Sequence, residues 1–339
     1  SNSNSNGSKN NENNSVAPGL ANTTTPKRFI CNDEGRVLPI ILGGIRKSGS
    51  TTFWNDVKPA VWPASPRPGT KAGFSKEPQF FGHGDSDYRY DSLWGKCSDP
   101  QPGVALDFST STFIARLATD KIKREYKQKS KEVIFLFGLR EPVNRIVSNY
   151  YFNAYRQEHS DVNFPEDIEK FFRMWSESLG SSCEQLSCLS NQNLDQNAVV
   201  ATSFYYRHLR NFLDSGFLAS QMVVFPGLVY LKHRDNFDTN PVLQALRARI
   251  GQSTFRLNHT WRNEKVYNKG PAKEIYGDNA TLVDAARSRL QNEVFAVENK
   301  RLFKFLAEQV DKGMTLVGYT GKANDVEAVE KWLTSGWQY

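Results

Sequence analysis

No stretch of this 339-residue chain comes near the roughly 18–20 consecutive apolar residues that a membrane-spanning helix needs. A spanning segment within it is therefore not expected. Metal-ligating side chains are scarce, with five histidines and four cysteines, and no C-x-x-C pair or His/Cys cluster gathers them. That argues against a structural zinc site, and no metal is expected to be required. The basic residues do not concentrate into a stripe, so nucleic acid is the weakest of the anionic partners and is not expected. Internal repeats are absent. Residues 1–28 are almost free of bulky apolar side chains and rich in Ser and Asn, a composition expected to form a disordered stem.

The remainder, residues 29–339, reads as one folded domain. Hydrophobic residues make up 39% of the chain and aromatics 12%, enough for a sizeable core. The formal net charge is +7, which favours anionic partners such as nucleotides, acidic glycans or membrane surfaces. N-x-[ST] sequons occur at Asn6, Asn13, Asn22, Asn258 and Asn279. Of the four cysteines, Cys183 and Cys188 could close a small disulfide loop in an oxidising compartment or remain thiols. The first residue is Ser1, so an upstream segment is expected to have been removed or left out, with the presence of a signal or membrane anchor in it left open. Stem and sequons together predict a lumenal or secreted catalytic domain.

Short apolar runs at Val37–Gly43, Glu132–Gly138 and Gln221–Leu231 suit buried parallel strands, with Gly103–Phe108 as another. Between and after them come helical signals. Val143–Arg156 opens after Pro142, a good first-turn residue. Ser203–Leu213 and Pro241–Ile250 carry apolar positions at helical spacing, and Leu282–Val310 reads as one long amphipathic helix or two. Strands alternating with helices predict a single α/β domain: a mostly parallel central sheet flanked by helices.

Gly43-Gly44-Ile45-Arg46-Lys47-Ser48-Gly49-Ser50-Thr51-Thr52 follows the first buried strand and leads into an expected helix near Phe53. Glycines let backbone approach an anion, successive N–H groups point inward, and the helix N-terminus adds positive potential. A nucleoside-triphosphatase loop would need Gly-Lys-Ser/Thr to reach terminal phosphates and hold magnesium. Here Lys47 sits two residues before Gly49, Ser50 follows the glycine, and no clear partner aspartate for magnesium follows a later strand. A metal-free anion loop fits better.

Three motifs carry a family resemblance. Arg46-Lys47-Ser48-Gly49-Ser50-Thr51-Thr52 resembles the 5′-phosphosulfate loop of sulfotransferases, R/P-K-x-G-T-T. Lys76-Glu77-Pro78-Gln79-Phe80-Phe81 resembles the K-E-P-x-F-F segment of the heparan and chondroitin branch. Val133 to Ser148, through Arg140-Glu141-Pro142-Val143-Asn144-Arg145, resembles the family's 3′-phosphate strand–turn–helix, R-D-P-x-x-R-x-x-S. The chain therefore resembles the carbohydrate sulfotransferases that use 3′-phosphoadenosine-5′-phosphosulfate as donor. The resemblance implies a kinase-like phosphate-loop fold, a setting on the lumenal side of the Golgi or secretory pathway that is compatible with a type II membrane protein, and as acceptor a hydroxyl on a glycan that is itself anionic. It departs from the branch in the Cys183/Cys188 pair, which does not match the usual late disulfide, in a weak loop over the adenine, and in two further places. Glu141 replaces the usual Asp, and Leu106–Phe113 (LDFSTSTF) stands where the branch has E-K-S/T-P-x-Y-F, with Phe108 at the lysine and Thr112 at the tyrosine.

The resemblance implies roles for individual residues. Lys47 would reach the 5′-phosphate and the bridging oxygen on which charge develops, Glu77 would act as general base, and Lys76 would orient the acceptor or steady the sulfuryl oxygens. Arg46, Ser48, Gly49, Ser50, Thr51 and Thr52 would complete the 5′ cradle, while Arg140 and Ser148 would hold the 3′-phosphate. Arg145 is expected to be a packing or ion-pair residue. Tyr205 could approach the nucleotide, and Asn268-Lys269-Gly270 stands weakly for the loop over the adenine, with Lys269 as its contact. Alternatives are a tyrosine or small-metabolite acceptor, a phosphate-loop nucleotide kinase, and a non-catalytic module that keeps the nucleotide fold.

Overall fold

The computed structural model describes residues 28–44, 48–57, 60–62, 78, 80–81, 89–99, 103–109, 112–113, 117–157, 164–178, 200, 202–251 and 280–337. Eight strands occur among them: β1 (Ile30–Cys31), β2 (Val37–Leu38), β3 (Ile41–Gly43), β4 (Val61–Trp62), β5 (Val104–Asp107), β6 (Ile134–Leu139), β7 (Met222–Pro226) and β8 (Thr315–Leu316). Six form one sheet in the order β4-β5-β3-β6-β7-β8, and every pairing in it is parallel. β5, β6 and β7 are buried at every position, which is why they read as unbroken apolar runs and not as alternating ones.

The run from Val37 to Gly43 is two strands, not the one its hydrophobicity predicts. Pro39 lies between them. It has no N–H to donate to a ladder, so the chain changes partners there. β2 pairs antiparallel with β1, whereas β3 enters the main sheet between β5 and β6. The Pro39 carbonyl, freed from any ladder, accepts the buried Tyr126 hydroxyl at 2.8 Å. Similarly, the run from Gln221 to Leu231 leaves the sheet at Pro226, and Val229–Lys232 turns into a helix.

The helices in chain order are α1 (Ser50–Val57), α2 (Ala118–Tyr126), α3 (Pro142–Gln157), α4 (Phe164–Ser178), α5 (Tyr205–Asp214), α6 (Val229–Lys232), α7 (Pro241–Ile250), α8 (Ala280–Arg289), α9 (Ala296–Val310) and α10 (Val326–Ser335). α7 starts as its sequence dictates: Pro241 occupies the first turn, and the Asn240 side chain accepts from the Val242 and Leu243 amides. Whether residues 282–310 form one helix or two is resolved by a π-helical segment, Leu290–Phe295, which joins α8 to α9 without a break. The main core lies on the sheet. A second cluster, including Val143, Ile146, Phe164, Phe171, Phe204, Leu290 and Phe295, joins α3, α4, α8 and the segments leading into α5 and α9. No helix among the described residues is long and apolar enough to cross a membrane.

Cys31 is disulfide-bonded to Cys97, a pairing the sequence did not disclose, with Cα atoms 6.1 Å apart. Cys183 and Cys188 lie outside the described residues. The bridge spans 66 positions and ties the β1–β2 hairpin to the turn before β5. On loop-closure entropy such a bridge contributes about 4 kcal/mol. Converting both cysteines to serine is therefore expected to lower the unfolding free energy by a corresponding amount and the urea midpoint with it, with a steeper slope because the uncrosslinked denatured chain expands. An unaltered midpoint would show that the bridge constrains little.

Candidate functional site

The order of the sheet fixes where a site belongs. After β3 the chain moves to β4 and β5 on one side, then crosses back to β6, β7 and β8 on the other. Connections diverging from a central strand leave a crevice at the carboxyl edge, where ligands of open parallel sheets bind. The loop after β3 and Arg140 after β6 both stand at that edge, on neighbouring strands.

Gly44 and Gly49 bracket the loop with φ of +108° and +82°, in the region that costs an L side chain strain. Gly49 passes the chain into α1, and its carbonyl accepts the Phe53 amide at 3.0 Å. Ser48 and Thr52 are 5% and 1% exposed. Their hydroxyls have no hydrogen-bond partner among the described residues. A buried hydroxyl without a partner costs about 1–3 kcal/mol, which a ligand oxygen arriving at the helix N-terminus would offset. Ser50 is buried beside them and Thr51 is half-buried on the first turn. Arg46, Lys47, Lys76, Glu77 and Lys269 lie outside the described residues.

The cleft beneath this loop is floored by aromatic rings. Phe53 stacks on Phe108 at 5.0 Å and meets Tyr230 edge-on at 4.8 Å, and Phe225 completes the wall. Phe108, standing where the glycan branch has lysine, is 2% exposed and presses against Gly44. Tyr230 donates to Asp56 at 3.0 Å, and Arg234 grips the same carboxylate through two bonds of 2.7 Å. This fork fixes α1 from its far end, so the direction of its N-terminus is set by α6 and the turn after it. Burial and the Asp56 charge push the Tyr230 hydroxyl far above its ordinary range, which keeps it a donor. Sequence reasoning missed all three residues. Only Asp56 left a trace, four positions after Thr52 on one helix face.

On the other side of the crevice, all three carbonyls from Leu139 to Glu141 are taken. Leu139 accepts from the Gly227 amide at 2.6 Å and from the Trp337 indole at 2.9 Å. Arg140 accepts the Tyr205 hydroxyl at 2.9 Å, and Glu141 accepts the Arg145 amide at 2.9 Å. The Glu141 carboxylate caps α3 by accepting from the Val143 and Asn144 amides, the task expected of an Asp at that place. Arg145 is fully buried and donates to Ser203 and Thr202, the packing role anticipated for it. Ser148 stands half-buried on the second turn of α3. Tyr205 is 2% exposed, and burial pushes its hydroxyl up to about 12. Its link to the site runs through the Arg140 carbonyl.

One expectation changes. An aspartate does end the strand beside β3: Asp107, at the tip of β5 and 1% exposed. Its carboxylate accepts from the Tyr90 hydroxyl at 2.7 Å and from the Ser109 amide at 2.8 Å, with the Ser109 hydroxyl as a further donor. Those donors occupy its oxygens. No group of three or more His, Cys, Asp or Glu suited to a metal occurs among the described residues.

No family model matches the chain, and no curated protein matches it. Among solved structures, it is similar to the crystal structure of a sulfotransferase from Alicyclobacillus acidocaldarius, at 14% identity and a TM-score of 0.45. The match covers 76% of this chain and 96% of that one.

Proposed function

We propose that this chain is a sulfotransferase that moves a sulfuryl group from 3′-phosphoadenosine-5′-phosphosulfate to a hydroxyl, with a glycan as acceptor. The observation that carries the reading is the pair of buried hydroxyls of Ser48 and Thr52, without a partner among the described residues, at the N-terminus of α1 and the carboxyl edge of the central strand. Arg140 stands on the adjoining strand end, so the edge offers two places for anions. A donor with a phosphosulfate at one end and a 3′-phosphate at the other needs two. The motif order around Lys47, Glu77 and Arg140 names the donor.

In this reading the acceptor oxygen attacks sulfur in line, the bond from sulfur to the 5′-phosphate oxygen breaks, and adenosine 3′,5′-bisphosphate leaves. Glu77 takes the acceptor proton and Lys47 meets the charge growing on the leaving oxygen. Lys76 orients the acceptor, and Lys269 approaches the adenine. The Cys31–Cys97 bridge and the sequons support a lumenal setting in the secretory pathway. One observation favours a non-glycan acceptor, such as a phenol: Phe108 is buried where the glycan branch has a lysine, which alters the acceptor side. A nucleotide kinase is less favoured, because Asp107 spends its oxygens on Tyr90 and Ser109.

A labelled-donor assay across polysaccharides, tyrosine peptides and small alcohols tests the reading. Label transfer to one acceptor class, without added magnesium, is expected. Transfer from ATP and none from the sulfated donor would replace this reading with the kinase one.

A further inference from the structure

Trp337 comes from a distant part of the chain, on the turn after α10, yet its indole reaches the carbonyl immediately before Arg140. It is 7% exposed and packs on Phe303 with ring centres 6.2 Å apart. Gly336 lies so close to Pro226 that an added Cβ would stand 2.3 Å from its ring. The turn is thus seated against the end of β7. Tyr205, the first residue of α5, takes the next carbonyl along. Two side chains from separate helices therefore hold the peptide units on either side of the Arg140 Cα.

β6 supplies no such support. Its ladder ends where Leu139 pairs with Pro226, which has no amide hydrogen to give. The Gly227 amide fills one lone pair of the Leu139 carbonyl, and Trp337 supplies the second bond. An arginine binds phosphate through a planar fork, so its donors are useful only when the backbone beneath it is fixed in place. We propose that Trp337 and Tyr205 are positioning residues that pre-set Arg140 for the 3′-phosphate of the donor, an inference that rests on the sulfotransferase reading above. Neither side chain needs to touch the ligand. Each acts through the main chain on the residue that, together with Ser148, would distinguish a bisphosphate from a monophosphate.

The readout is the preference for adenosine 3′,5′-bisphosphate over adenosine 5′-monophosphate, measured by calorimetric titration. The wild-type protein is expected to prefer the bisphosphate, and Arg140→Ala to lose that preference. Trp337→Phe and Tyr205→Phe each delete one hydrogen bond and keep a ring. Each is expected to lower bisphosphate affinity by about fivefold to tenfold while leaving the monophosphate within about twofold. Trp337→Phe added to Arg140→Ala should change neither affinity further. Should Trp337→Phe prove unfolded in a thermal melt, Tyr205→Phe, which removes a single hydroxyl, decides the matter. Equal weakening of both ligands would assign the two residues to general stability and overturn the proposal, as would an unchanged preference in both variants. A wild-type protein with no preference would instead remove the donor reading, and the positioning role with it.

Discussion

Glu77→Gln is expected to slow sulfuryl transfer by about 10²–10⁴-fold while leaving donor affinity almost unchanged. The amide keeps the volume of the carboxylate and its capacity to accept a hydrogen bond, but it cannot take a proton. A hydroxyl acceptor is weakly acidic, so without a base the transition state must form with the proton still on the attacking oxygen. The loss corresponds to about 3–5 kcal/mol of transition-state stabilisation. Under the proposed function it should fall on kcat, because in that reading the loop and Arg140, and not Glu77, hold the donor. Lys47→Ala provides the contrast. In the proposed mechanism Lys47 meets the 5′-phosphate in the ground state and the leaving oxygen in the transition state, so donor affinity and turnover should fall together. Single-turnover rates and donor titrations on both variants separate the two roles. Normal turnover by Glu77→Gln would remove it as the base, and a large loss of donor affinity would recast it as a binding residue.

The sequence disclosed the fold to different depths in different places. Strands buried on both faces were plain, because β5, β6 and β7 have no solvent side to interrupt the apolar run. Their ends were not. Pro39 and the Pro226–Gly227 step break ladders inside continuous hydrophobic stretches, so composition alone carried the strand too far. β4 and β8 have two residues each, too short for any period to show. Around the site, local features were readable and distant ones were not. The glycines and hydroxyls of the loop sit in one segment, and so does the turn from Arg140 to Ser148. Asp56 meets Arg234 across 178 positions, and Trp337 meets Leu139 across 198. Such pairings depend on the tertiary fold, and a single sequence carries no local mark of them. The Cys31–Cys97 bridge escaped for the same reason.

Glu298→Ala is expected to cost about 3–5 kcal/mol of folding stability, a large part of what a domain of this kind has. Glu298 on α9 and Arg207 on α5 have side chains 5% and 2% exposed, and they meet through two bonds of 3.2 and 2.7 Å. Arg301 adds a third donor at 3.1 Å. Both charges left water on folding, and each is compensated chiefly by the other. Truncating Glu298 leaves the Arg207 guanidinium charged and buried, since arginine does not deprotonate in proteins. The penalty is therefore larger than the net worth of the pair. The double variant Arg207→Met, Glu298→Leu removes both charges and fills the space, and it should regain most of the loss or exceed the wild type. Urea unfolding with a constant slope measures both. A loss below about 1 kcal/mol in Glu298→Ala would mean that water or another group already shares the charge. Arg207 lies on the same first turn of α5 as Tyr205, whose hydroxyl holds the Arg140 carbonyl. The ion pair thus anchors the helix whose first residue holds the Arg140 carbonyl. If it does so only by holding α5 in place, the double variant should keep the bisphosphate preference of the wild type, with the stability effect and the binding effect cleanly separated.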